Sequence, residues 1–258
     1  MPSAISINYL SEAMIESPFP PTELALAEPN GLLAQGGDLS PRTLLNAYAL
    51  GIFPWFGANE PILWWTPDPR LVLDPAKVHR PRSLKKFLSR SAWKITRDAA
   101  FERVISACAS PRADQNGTWI HQDMIEAYCA LHQLRYAHSI EVVDASGDLV
   151  GGLYGVRIQG IFFGESMFSR ATNASKVALL ALCHWCLHDD INLIDCQMPS
   201  EHLVNLGAEL VTRKDFENRL CQAINRDTVN ADQCAAPWVS TQEDCASANN
   251  AVWAKDLL

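Results

Sequence analysis

Between residues 138 and 198 the hydrophobic period changes twice, and this restricts the chain to a layered α+β domain. "HSIEVVD", "LVGGLYGVRI" and "GIFFGESMFS" read with a period of two and are joined by "ASGD" and "QG" turns, which predicts three hairpin-linked strands. "NASKVALLALCHWCLHDD" then reads as a helix. Lys176, His184 and His188 are its only strongly polar members up to residue 188, so it should be buried on nearly every side. "INLIDCQM" returns to a core strand. Three hairpin-linked strands, a buried helix and a further strand make an α+β layered domain.

The third strand carries a carboxylate. Strict alternation sets Ile161, Phe163, Glu165 and Met167 on one face and Phe162, Gly164, Ser166 and Phe168 on the other, and neither face is suited to water. Glu165 must therefore be neutral, hydrogen-bonded or matched to a cation. Two readings stand: a structural pair with an arginine such as Arg70 or Arg157, or a carboxylate that positions a ligand amine or moves its proton. In "LIDCQMPSEH", Asp195 and Gln197 are two apart and share a face at a strand end. They form either part of a site or a turn that ends the sheet.

Net charge is −8, yet residues 77 to 97 contain eight of the 21 basic residues and no acid. Within them "SLKKFLSR" sets Leu84, Phe87 and Leu88 on one helical face and exposes Lys85, Lys86 and Arg90. This is either a solvated face or a contact with a phosphate backbone. Trp55 and Trp119 sit beside turn-forming residues, where they can stack bases or fill a core. The eight cysteines are irregularly spaced, and "CHWC" lacks a second ligand pair, so core thiols are expected and no metal. No leader-like segment or membrane-length apolar run opens the chain, which leads us to expect a cytoplasmic protein. "GGLYG" is not a phosphate cradle, and no nucleotide cofactor is expected. We divide the chain into a small N-terminal domain (1–71), a catalytic domain (72–226) and a loosely attached acidic tail (227–258). Helices are expected at 40–50, 83–90, 98–109 and 121–135.

Eight stretches, "EPNGLLAQGGDLSPRTLLNAY", "GIFPWF", "ILWWTPDPR", "GTWI", "HSIEVV", "LVGGLYGV", "FFGESMFSRATNASK" and "LIDCQ", occur in order across residues 28–220. Together they resemble the leucyl/phenylalanyl-tRNA–protein transferase family. The resemblance implies a second domain like the GNAT acetyltransferase fold, with a mixed, mainly antiparallel sheet. It also implies transfer of leucine or phenylalanine, and weakly methionine, from aminoacyl-tRNA to the N-terminal arginine or lysine of acceptor proteins, which marks them for degradation under the N-end rule. A monomer without cofactor or membrane partner is implied. By position, Trp55, Trp119 and Tyr128 match residues at the terminal adenosine of the tRNA. Leu153, Phe162, Gly164, Met167, Leu179, Leu182 and Ile194 match the donor side-chain pocket. Glu165 matches a residue of the same pocket, and Asp195 and Gln197 match the catalytic pair; from its buried charge we count Glu165 with the catalytic candidates, and from the basic stretch we expect Lys85, Lys86 and Arg90 to meet the tRNA backbone. Two positions depart from the pattern: Leu153 stands where methionine is common, and Cys186 where a phenylalanine can line the pocket. "SRATNASK" has no glycine where a coenzyme A user needs its pyrophosphate loop.

Overall fold

Two sheets share one apolar core in the computed structural model, which describes residues 8–10, 19–110, 119–224, 252–253 and 257. The smaller sheet orders β1 (Asn8–Leu10), β2 (Leu32–Gly36), β4 (Leu63–Trp65) and β3 (Phe53–Pro54) side by side. Helix α1 (Pro41–Ala49) starts where Ser40 Oγ accepts the Thr43 N–H at 3.3 Å, with proline at the first position, where its missing N–H costs nothing. Gly51 ends it at φ +76, and a Cβ there would meet the Phe216 ring at 2.7 Å, so glycine is needed twice over.

The larger sheet has eight strands. Its order is β11 (Glu209–Val211), β5 (Arg70–Leu73), β10 (Leu193–Gln197), β9 (Ile161–Ser169), β8 (Leu149–Ile158), β7 (Ala137–Val143), β6 (Lys94–Arg97) and β12 (Val252–Trp253). Every neighbouring pair is antiparallel except β9 and β10. That parallel pair needs a crossover, and α5 (Ala174–His188) supplies it. The fold is thus the expected α+β class with a mixed, mainly antiparallel sheet. Helices α3 (Phe101–Ala109), α4 (Gln122–Gln133), α1 and α7 (Arg213–Ala223) pack on one face with Tyr154 and Phe163, and the single turn α6 (Glu201–Val204) follows β10. Helices α2 (Arg82–Leu88) and α5 cover the other with Leu153 and Phe162. No helix among the described residues is long and apolar enough to cross a membrane.

Strict alternation fails in β9. Its ladder with β8 shifts register: Tyr154 lies opposite Ser166 and Gly155 opposite Gly164, leaving Glu165 unopposed. This β-bulge reverses the phase of the strand. Phe163 and Phe168 pack toward α3 and α4, whereas Phe162 and Met167 pack toward α5, which corrects the expected pairing of Phe163 with Met167.

The division expected at residue 71 falls inside β5, and Tyr48 of α1 packs on Phe163 of β9 with ring centroids 4.9 Å apart. The expected tail lies mostly outside the described residues. Within it, Val252 and Trp253 pair with Ile95 and Lys94, and Leu257 is buried on the α5 side. Strand β6, only four residues long, and helix α7 were not anticipated.

Gly155 is fixed by its surroundings, since a Cβ there would stand 2.1 Å from the Phe163 carbonyl oxygen and 2.5 Å from the Phe162 ring. Gly155→Ala is expected to destabilise by ~1–3 kcal/mol. Thermal unfolding should show a Tm lower by roughly 2–4 °C for each kcal/mol. Gly164→Ala, whose Cβ would meet only the Asp195 oxygen at 3.5 Å, should cost clearly less. Equal losses would contradict the packing at Gly155.

Candidate active site

Strands β9 and β10 pair only from Leu193↔Ile161 to Asp195↔Phe163. Beyond that, β9 bulges at Glu165, and β10 ends as Gln197 takes the left-handed conformation at φ +62. The strands part, and a cleft of about 590 Å³ opens at their carboxyl ends. Carboxyl ends of adjoining parallel strands are where open sheets form binding crevices.

Glu165 stands at this split, 8% exposed. Gln197 Nε2 donates to its Oε1 at 2.7 Å and Tyr128 Oη to its Oε2 at 2.8 Å, while the hydroxyls of Tyr48 and Tyr128 are hydrogen-bonded to each other. Burial raises the Glu165 carboxyl to about 7; hydrogen bonds from Tyr48, Tyr128 and Gln197 oppose the rise, and the charge of Asp195 adds to it. Burial first, and then the charge of Glu165, holds the Tyr48 and Tyr128 phenols well above their usual 10, so they remain neutral donors.

Neither arginine considered as a partner reaches Glu165. Arg70 binds Asp195 through both oxygens, Nε to Oδ1 at 2.8 Å and Nη2 to Oδ2 at 2.6 Å. Its guanidinium lies over the rings of Phe53 and Phe216, 4.9 and 4.4 Å from their centroids. Arg157 pairs with Asp189 at 3.2 Å. Glu165 therefore forms no ion pair among the described residues, and the structural pairing is excluded.

Asp195 is fully buried and does not line the cleft. Its Oδ1 accepts the Gln197 N–H at 2.9 Å, the side-chain-to-backbone turn considered as an alternative to a site. Here the turn and the site coincide: this bond holds Gln197 in a conformation that costs on the order of 1 kcal/mol for a residue other than glycine. It thereby aims the amide at Glu165. Asp195 positions; Gln197 is presented.

Trp55, Trp119, Leu153, Gly164, Met167, Leu179, Leu182 and Ile194 all line the cleft with Glu165 and Gln197. Trp55 is 41% exposed and set edge-on to Trp65 at 5.4 Å, displayed rather than packed; the core role falls to Trp64. Tyr128 lies behind Glu165, and Phe162 also stays out of the cleft wall. Tyr48, Arg70 as the partner of Asp195, and His202 at the cleft rim were missed. Tyr48 carried a signal only as a member of the apolar face of α1. Cys183 and Cys186 are buried while His184 and His188 are exposed, so the four side chains of "CHWC" and its flank do not converge. Lys85, Lys86 and Arg90 are exposed and lie away from the cleft wall.

Residues 37–68 match the family model described as the leucyl/phenylalanyl-tRNA protein transferase N-terminal domain, and residues 72–221 match that of leucyl/phenylalanyl-tRNA protein transferase. Relatives of that name include one from Nitrosomonas europaea, 56% identical over 80% of this chain and 87% of its own length. One from Anaeromyxobacter dehalogenans is 54% identical over 80% and 88%. Another from Pseudomonas fluorescens is 51% identical over 86% and 95%. A solved GCN5-related N-acetyltransferase from Kribbella flavida is 10% identical, with a TM-score of 0.35, over 63% of this chain and 57% of that one; this is too distant to bear on the assignment. On the sequence matches, the chain belongs to the leucyl/phenylalanyl-tRNA–protein transferase family.

Proposed function

We propose that the cleft between β9 and β10 holds the aminoacyl end of leucyl- or phenylalanyl-tRNA, and methionyl-tRNA more weakly, for attack by the N-terminal arginine or lysine of an acceptor protein. Family membership supplies the reaction class, transfer of an aminoacyl group from tRNA to protein. The acceptor residues, the resulting degradation mark, the monomeric state and the cytoplasmic setting belong to our reading. Trp55 and Trp119 stack the terminal adenosine, and Tyr128, behind Glu165, braces the site. Leu153, Met167, Leu179, Leu182 and Ile194 surround the donor side chain, and Gly164 admits its backbone. Lys85, Lys86 and Arg90 meet phosphates outside the cleft.

One observation carries the chemistry: a buried carboxyl raised to about 7, hydrogen-bonded to an amide at the mouth of an apolar cleft. A neutral amine attacks the ester carbonyl, the C–N bond forms, and the ester C–O bond breaks. The amine gives up one proton and the departing ribose oxygen takes one up. An activated ester needs alignment and a proton acceptor more than it needs a cofactor. Glu165 suits the acceptor role because its raised pKa lies near neutrality, and Gln197 aligns the amine or relays its proton. The direct test mixes the protein with leucyl-tRNA and an arginine-started peptide. A leucine-extended peptide is expected, and its absence with active charged tRNA would overturn the reading.

Gln197→Ala is expected to lower transfer by on the order of 10²-fold while charged-tRNA affinity changes little. Asp195→Ala should act differently: it strands Arg70 in the core and should cost ~3–5 kcal/mol of stability. Single-turnover rates and denaturant melts separate the two, and a stable Asp195→Ala variant would contradict the role given to the pair.

Glu165 also sets a pH dependence. Its folded pKa lies above its ordinary 4.5, so its neutral form favours folding; that contribution is full below 4.5 and lost as pH rises through about 7. Glu165→Gln should therefore lose less stability than the parent between pH 5 and 8. Its transfer should be slower and lack the rise near pH 7, keeping only a rise near the acceptor amine's ~8. Parallel stability curves and identical rate profiles would remove Glu165 from the mechanism.

Donor choice follows from the wall. Leu153, Met167, Leu179, Leu182 and Ile194 suit side chains unbranched at Cβ, so valyl- and isoleucyl-tRNA should transfer more slowly by ~1–3 kcal/mol in kcat/KM. Equal transfer from valyl- and leucyl-tRNA would refute this.

A further inference from the structure

Among the described residues the cleft wall holds one basic side chain, His202, and one acidic, Glu165. Glu165 is taken up by Gln197 and Tyr128. His202 lies on α6, whose start Ser200 caps by accepting the Leu203 N–H at 3.4 Å. Leu203 packs into the core beneath α5, which brings α6 beside that helix. Helix α5 begins past the carboxyl end of β9, where the cleft opens, and its Leu179 and Leu182 line the wall. Lys176 precedes Leu179 by three residues, on the same helical face and nearer the opening. Lys176 and His202 thus act on one space from two elements. Burial first, and the charge of Lys176 second, holds the His202 imidazole below its ordinary 6.5. No local carboxylate neutralises that charge: neither residue forms an ion pair among the described residues, and Glu201, the acid beside His202 on α6, is exposed.

Of the two substrates in the proposed reaction, the donor is the anion and the acceptor the cation. The terminal ribose carries the aminoacyl ester and, through its 5′ oxygen, the phosphodiester to the preceding nucleotide. An adenosine held in the cleft therefore brings one negative charge to the opening. We propose that Lys176 and His202 form the subsite for this phosphodiester. This rests on the cleft holding the aminoacyl end of the donor. Lys176 supplies a fixed charge and three N–H donors, and His202 an N–H and, when protonated, a second charge. An anion between them offsets their mutual repulsion, so donor binding favours the imidazolium. Affinity for the donor is then greatest at low pH and falls as pH rises through the imidazole's titration. An acceptor that starts with arginine or lysine carries the same charge as Lys176 and is turned away from this side of the opening.

The test compares two minimal donors, 3′-O-leucyl-adenosine and the same ester carrying a 5′-methylphosphate, with an arginine-started peptide as acceptor. The methylphosphate is a diester and keeps a single charge, unlike a monoester, whose second proton titrates at about 6. Neither donor has the tRNA body that Lys85, Lys86 and Arg90 are proposed to meet. At about pH 6 the parent protein should show a KM on the order of 10-fold lower for the phosphate-bearing donor, the scale of two partly exposed charge contacts. This ratio should shrink toward about pH 8. Lys176→Ala should bring it within about twofold of one, Lys176→Arg should keep it, and Lys176→Glu should invert it. His202→Gln should keep part of the preference and lose its pH dependence. A parent ratio near one, a ratio that survives Lys176→Ala, or a pH dependence that survives His202→Gln overturns the subsite. Trp55→Ala tests the underlying reading separately, because it should raise KM for both donors alike. Unchanged KM for both would show that the adenosine does not sit in the cleft, and the subsite falls with that reading.

Discussion

Two full charges, Arg70 and Asp195, are buried against each other between the rings of Phe53 and Phe216. A buried pair gains little net stability over a well-packed apolar one, because both ions leave water. Its value here is geometric. Arg70 lies on β5, Asp195 on β10, Phe53 in the smaller sheet and Phe216 on α7, so one contact fixes four elements. The same carboxylate also accepts the Gln197 N–H. An isosteric apolar pair could replace the packing but not this bond, and Gln197 would lose the group that holds its turn.

The second constraint is the extra residue in β9. A bulge bends a strand and re-aims one side chain. At Glu165 it directs the carboxylate toward Tyr48 and Tyr128 while returning Met167 to the α5 face. The apolar wall of the cleft and the carboxyl–tyrosine cluster therefore lie on opposite faces of one strand and meet only where β9 and β10 part. The tyrosines suit this place because their phenols stay protonated beside a carboxylate. A lysine there would bring the carboxyl back toward its usual range.

What was legible in the sequence follows from how local each signal is. The Ser40 cap, the three strands and the buried α5 are written in propensity and period, and the structure has them. Glu165 and Gln197 could each be singled out from their own strand, but their meeting depends on β9 and β10 being neighbours, and Asp195, on the same expected face as Gln197, turns instead into the core. The faces of Phe162 and Met167 were not, because a bulge depends on the register of the neighbouring strand. The partner of Arg70 was hidden for the same reason: 125 residues separate it from Asp195. Strand β6 is four residues long and takes its identity from β7.

Glycine placement on β8 ties these constraints together. A side chain on Gly152 would meet the Ile140 carbonyl oxygen at 2.6 Å, and one on Gly151 would meet Ala174 at 2.5 Å, so β8 lies close against both its neighbouring strand and the start of α5. Gly155 leaves the room that the Phe162 ring takes. Strand interiors rarely favour glycine, since it adds entropy to the unfolded chain and nothing to packing. Here each missing side chain is the space occupied by another element. Together these close approaches hold α5 near enough to the sheet for Leu179 and Leu182 to face Leu153 across a pocket instead of a solid core.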